Sequence, residues 1–101
     1  VSKTLIPAAK PLIGRAERKA VDRVLRSGMI AQGPEVAAFE QEFGAHFVAG
    51  RTCVAVNSGT AGQHLGQLAA GVGADDEVIV PSFTFAATGN SVALTGATPV
   101  F

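Results

Sequence analysis

Thr52-Cys53-Val54-Ala55-Val56, Glu77-Val78-Ile79-Val80 and Thr98-Pro99-Val100-Phe101 are the stretches that decide how this chain folds. Each is short, rich in β-branched residues and apolar throughout rather than alternating, as strands covered on both faces are. Between the first two, residues 60–70 carry helical spacing and are closed by Gly71 and Gly73. Between the second and third, residues 83–94 do the same and are stopped by Gly96. The predicted order is β-α-β-α-β, and strands alternating with helices build a parallel sheet.

Upstream, Ala16, Ala20, Val21, Val24 and Leu25 recur at helical spacing over residues 15–26, with charges between them and Gly28 at the end. Gly33-Pro34 opens a second helix, with proline at the first helical position, where its missing N–H is not needed. Val36, Phe39, Phe43 and Phe47 line one of its faces. Both helices are amphipathic, so each is expected to cover something. The first ten residues read as an extended entry arm. The expected division is therefore 1–51, an arm and two amphipathic helices, and 52–101, the start of an incomplete α/β domain.

Composition narrows the function classes. The 101 residues carry a formal net charge of +0, are 48% hydrophobic and only 16% charged, against about 25% charged in an average soluble domain. That balance excludes a disordered tail and offers no electrostatic case for nucleic acid or an acidic membrane surface. No apolar run approaches the ~20 residues that span a bilayer, and no charged-then-apolar leader opens the chain. One cysteine makes no internal disulfide, and a cytoplasmic location is the expectation. All 8 basic residues lie at or before Arg51, and beyond it the only charges are Asp75, Asp76 and Glu77. Such a composition suits a segment of a larger protein, covered on most sides, whose apolar faces lie open when it stands alone.

Ligands of open parallel sheets bind beyond the carboxyl ends of the strands, which singles out residues 57–60 and 81–85. In the first loop Gly59 permits a tight turn, and Thr60, Ala61 and Gly62 would begin a helix whose leading N–H groups lack intrahelical partners. Such a turn cradles an anion. The same residues also fit an ordinary Ser/Thr cap, since Ser58 and Thr60 are common capping residues. No Gly-Lys-Ser/Thr follows, and Gly59 and Gly62 do not complete a dinucleotide fingerprint. In the second loop Phe83 and Phe85 offer rings that either stack on a heteroaromatic ligand or fill the core. Cys53 reads as a small buried hydrophobe, His46 and His64 have no ligands at metal spacing, and Asp75-Asp76-Glu77 reads as a solvated turn. No metal site is expected.

Taken together, Val56-Asn57-Ser58-Gly59-Thr60-Ala61-Gly62, residues 73–88 from Gly73-Ala74-Asp75 to Ala86-Ala87-Thr88, and Gly96-Ala97-Thr98-Pro99-Val100-Phe101 closely resemble the DegT/DnrJ/StrS family of sugar aminotransferases. Ile6-Pro7, Lys10-Pro11, Ser27-Gly28, Gly33-Pro34-Glu35-Val36 and Phe39-Glu40 fit its amino-terminal pattern. The resemblance implies an α/β fold of the aspartate-aminotransferase type (fold type I), with this chain as its amino-terminal part: a parallel βαβαβ segment preceded by two helices. It implies pyridoxal 5′-phosphate (PLP) as cofactor, with Gly59, Thr60 and Ala61 at its phosphate and Phe85 stacked on its pyridine ring, while Phe83 packs. It further implies transamination of a keto sugar, nucleotide-linked, by an amino acid donor such as glutamate, in a homodimer without nucleic-acid or membrane partners. No catalytic residue falls in this chain. Lys3, Lys10 and Lys19 match neither the Schiff-base lysine nor its surroundings, and that lysine and the pyridinium aspartate belong farther downstream. Asp75 stands where the family usually has glycine, Gln63 and Gly66 replace commoner apolar residues, and Gly89 replaces alanine. A non-catalytic sensory relative of the same fold and a nucleotide-binding βαβ module are the other readings.

Overall fold

The computed structural model describes Pro7 and residues 9–101. Most of the entry arm, residues 1–6 and 8, lies outside the described residues. The chain divides into two compact units, Val1–Cys53 and Val54–Phe101.

The first unit holds helix α1 (Arg15–Ser27) and helix α2 (Pro34–Phe47). The Gly14 amide donates to Glu17 Oε2 at 2.7 Å, half of a capping box, since glycine has no side chain to return the bond. Hydrogen bonds from the Glu17 and Gly14 amides hold the Glu17 carboxyl below its ordinary value. This support for the start of α1 is complete above the ordinary carboxylate range and disappears as pH falls through the lowered value. Gly28 closes α1 in the left-handed region, φ 72°. The Arg23 guanidinium forks onto both Glu35 carboxylate oxygens at 3.0 Å, tying α1 to the first turn of α2. Both side chains are more than half exposed, so the pair orients more than it stabilises.

The aromatic stripe forms as the spacing predicts. Phe39 and Phe43 lie 5.8 Å apart by ring centroids, and Phe43 and Phe47 lie 4.9 Å apart. Yet all three are exposed and α1 buries no residue, so among the described residues neither helix covers a core. The only buried residue of α2 is Gly44. Its carbonyl accepts from Gly50 N at 2.8 Å as the chain turns back through Ala49 (φ 54°) and Gly50 (φ 77°). A Cβ on Gly44 would lie 2.5 Å from the Arg51 carbonyl oxygen.

The second unit runs α3 (Gly59–Ala69), β1 (Glu77–Ile79), α4 (Ala86–Ala93) and β2 (Thr98–Val100). The strands pair in parallel with Glu77 opposite Thr98, Val78 opposite Pro99 and Ile79 opposite Val100. Thr98 N to Asp76 O (2.9 Å) and Val80 N to Val100 O (2.8 Å) extend the ladder at either end. Val80, Val92 and Ala97 are buried, with Val72 and Val78 packed against them.

Two expectations need correction. Residues 52–56 form no strand, so the sheet among the described residues has two strands and the motif is β-α-β rather than β-α-β-α-β. A β-branched run favours an extended backbone, but a strand is completed only by a ladder to a neighbour. Helix α4 begins at Ala86 rather than Phe83, because Phe85 adopts extended dihedrals (φ −65°, ψ 143°) as its N-cap. Two departures from the family pattern also acquire reasons. Asp75 sits at φ 74°, a backbone that glycine takes freely and that aspartate tolerates better than most residues. Gly89 has no side chain where the Phe101 ring approaches, with Cζ 3.1 Å from where a Cβ would be.

Two substitutions should therefore shift thermal stability in opposite directions. Gly44→Ala gains helix propensity but pushes a methyl onto a backbone oxygen, and should lower stability by about 1–3 kcal/mol. Asp75→Gly relieves a left-handed backbone and should raise it by up to ~1 kcal/mol. Melting midpoints of the two variants beside the unmodified protein check both signs.

Candidate functional site

The turn into α3 is built by Ser58. Its Oγ accepts from Ala61 N at 3.1 Å and its carbonyl accepts from Gly62 N at 3.1 Å. The cap thus takes up two of the amides that the sequence assigns to an anion. Helix α3 also starts one residue early, at Gly59, which is not in the left-handed region. The amides of Gly59 and Thr60 find no acceptor among the described residues. Together with the Thr60 hydroxyl they make a three-donor helix start, in the positive end of the α3 dipole. A Cβ on Gly59 would meet nothing within 4 Å, so the turn is open on that side.

The other predicted site residue follows β1. Phe85 is the N-cap of α4 and its ring is 87% exposed. Phe83, expected to pack, is fully exposed instead, so both rings stand free of the core. Phe83, Thr84 and Phe85 line one open apolar hollow. The loop is pinned to α4 from within: Thr88 N donates to Phe85 O at 2.9 Å, and the Thr84 and Thr88 hydroxyls lie 3.0 Å apart.

Helices α3 and α4 meet through a polar cluster that sequence reasoning did not find. Ser91, wholly buried on α4, accepts from Gln67 Nε2 at 3.3 Å. It shares its one hydroxyl proton between Thr88 O at 2.8 Å and Gln63 Oε1 at 3.3 Å. Gln67 Oε1 is buried without a partner among the described residues, an omission of the kind that costs about 1–3 kcal/mol. The signal was present: Gln63 and Gln67 stand four apart and so share a helix face. Gly59, Thr60 and Ala61 therefore begin one helix, Phe85 caps the other, and the two helices are fastened together a turn or so behind those starts. No hydrogen bond joins Phe85 directly to residues 59–61 among the described residues. Nor do three or more His, Cys, Asp or Glu side chains gather among them where a metal could be held.

The model of the DegT/DnrJ/EryC1/StrS aminotransferase family matches residues 11–101. The chain belongs to this family. Among its relatives is the spore coat polysaccharide biosynthesis protein SpsC of Bacillus subtilis (strain 168), 48% identical over 96 residues, which are 95% of this chain and 24% of that protein. Among solved structures, the putative sugar aminotransferase Spr1654 of Streptococcus pneumoniae in its PLP-form is 38% identical with a TM-score of 0.81, over 94% of this chain and 24% of that one. The same protein is also known in a PMP-form. DesV of S. venezuelae is 47% identical with a TM-score of 0.68, over 85% of this chain and 23% of that one. The chain thus spans about a quarter of the length of these family members. The fold is the amino-terminal part of a fold-type I aminotransferase. Among the described residues no helix is long and apolar enough to cross a membrane.

The Ser58 cap gives the site its first test. Ser58→Ala removes the acceptor of the Ala61 amide and should cost about 1 kcal/mol of stability, read as a lowered melting midpoint. It should also fray the first turn of α3, seen as faster amide hydrogen exchange at Ala61.

Proposed function

We propose that the protein carrying this chain is a PLP-dependent sugar aminotransferase, and that Gly59, Thr60, Ala61 and Phe85 belong to its cofactor site. One observation carries the reading: the start of α3 leaves two backbone amides without acceptors among the described residues, beside the Thr60 hydroxyl. A phosphate dianion is the complementary ligand of such a helix start. Gly59 and Thr60 would hold the phosphate through N–H groups and Thr60 through its hydroxyl as well. Ala61, whose amide is taken by Ser58, would contribute its place in the turn rather than a bond. Phe85, exposed beside the same unit's sheet, would cover one face of the pyridine ring.

When bound, PLP supplies the electron-withdrawing ring and reactive carbon through which an amino group passes from one substrate to another. This chain's residues bind and orient. Fixed hydrogen bonds at the phosphate and a flat wall at Phe85 would set the plane of the ring before any substrate arrives. The lysine and the acidic partner that such chemistry requires are not among the residues assigned here. We take the amino donor to be an amino acid such as glutamate and the acceptor to be a keto sugar, nucleotide-linked, used in ping-pong order by a cytoplasmic homodimer. The family and the names of SpsC and Spr1654 support a sugar acceptor.

The test uses the complete polypeptide. It should retain PLP, with visible absorbance, and transfer an amino group from glutamate to a nucleotide-linked keto sugar. PLP binding without any such transfer would favour the sensory relative. Thr60→Val removes one charge-assisted hydrogen bond, worth about 1.5–3 kcal/mol, and should weaken PLP retention roughly ten- to a hundredfold. Phe85→Leu should leave the melting midpoint nearly unchanged, since the ring is exposed, while altering the PLP absorbance and lowering turnover. Unaltered cofactor affinity in the first variant would reduce the turn to a cap, and an unaltered spectrum in the second would remove Phe85 from the site.

A further inference from the structure

We infer that Ser91 is a positioning residue, setting the start of α3 against the Phe85 loop through one hydrogen-bonded path. The inference rests on the cofactor reading above and deepens it. The path is continuous. Gln63 and Gln67 on α3 both bond Ser91 Oγ, at 3.3 Å each. Ser91 Oγ donates to the Thr88 carbonyl at 2.8 Å. Thr88 in turn bonds the Phe85 carbonyl through its amide at 2.9 Å and meets Thr84 through its hydroxyl at 3.0 Å. Among the described residues, Ser91 is thus the side chain whose hydrogen bonds join α3 to the segment bearing Phe85.

Its burial gives the contact its force. Ser91 is wholly buried, next in the chain to Val92 of the small core that Val80, Val92 and Ala97 form. Directional bonds are stronger in such surroundings, and leaving their ends unmet is costly, so few relative placements of the two helices are tolerated. Apolar packing alone discriminates less between neighbouring placements, because it is non-directional. The cluster also leaves Gln67 Oε1 buried without a partner among the described residues. Three apolar side chains would have avoided that loss, so the arrangement is poor as a pure stabiliser and better understood as a locator. What it locates are the two groups assigned to opposite ends of one cofactor, the phosphate turn and the ring-covering Phe85.

This predicts a split between ligands. Inorganic phosphate touches only the start of α3, whereas PLP must reach both that start and Phe85. In the complete cofactor-free polypeptide, calorimetric titration of Ser91→Ala should show PLP binding weakened about tenfold, the worth of one lost hydrogen bond, with inorganic phosphate binding within about twofold of the unmodified protein. Gln63→Leu, at an exposed position that the fold tolerates, should show a smaller loss in the same direction. Ser91→Thr, which keeps the hydroxyl, should restore PLP binding. Equal weakening of phosphate and PLP in Ser91→Ala and Gln63→Leu would assign the cluster to overall stability and overturn the inference. PLP binding unchanged in both variants would overturn it as well. An unmodified protein that binds no PLP overturns the cofactor reading itself, a result seen in the control before any variant is compared.

Discussion

Parallel pairing of β1 with β2 obliges the chain to leave one end of the sheet and re-enter at the other, which no tight turn can do. Helix α4 is that return path, and its length and placement follow from the crossover. Phe85 caps α4 because the crossover helix must begin just past the carboxyl end of β1. Val92 is buried because the helix that makes the crossing also roofs the two strands, alongside Val80 and Ala97, and Ser91 is buried where α4 meets Gln63 and Gln67 of α3. Asp75 takes its left-handed backbone at the turn that feeds β1, and Asp76 secures that turn by accepting from Gly73 N at 2.9 Å. The small core of the second unit is the joint product of these requirements.

The candidate site inherits its properties from the same arrangement. Among the described residues, the start of α3 keeps two amides without acceptors because Ser58 serves the next two. A side-chain cap and unmet amide donors therefore coexist in this turn. The cap fixes the first turn, and fixing it leaves Gly59 and Thr60 presented as donors. Phe83 and Phe85 stand exposed on the segment between β1 and α4, where the chain bends at residues 82–84 and Phe85 is extended as the cap.

Much of this was legible in the residues. Gly28, Pro34, Gly71 and Gly96 mark helix ends by steric rules that act locally, and the helices form close to where those signals lie. The apolar runs at residues 77–80 and 98–101 form strands because each has the other as partner. The run at 52–56 has the same composition and forms none, since pairing is a property of two segments and composition describes one. Phe83 and Phe85 misled for a related reason. Helical spacing continues through them, while the bends at residues 82–84 and the extended Phe85 cap keep them out of α4. The family resemblance supplied Gly59, Thr60, Ala61 and Phe85 as a set, but not the division of labour among the amides, which depends on where the Ser58 oxygen lies. Ser91 escaped notice because a lone serine on a helix reads as surface until its two glutamines are placed beside it.

The glutamine–serine cluster also constrains how this sequence can change over time. Three apolar residues at positions 63, 67 and 91 would pack without hydrogen bonds, and three polar ones bond each other. A mixture that sets Gln67 or Ser91 beside apolar neighbours leaves a carboxamide or a buried hydroxyl short of partners, whereas Gln63, being exposed, can turn to water. Changes at positions 67 and 91 are therefore coupled in their effect on stability, and a change at 63 less so. A chimaera joined between residues 67 and 91 that pairs a polar residue at one of these positions with an apolar one at the other would lose stability while keeping the fold.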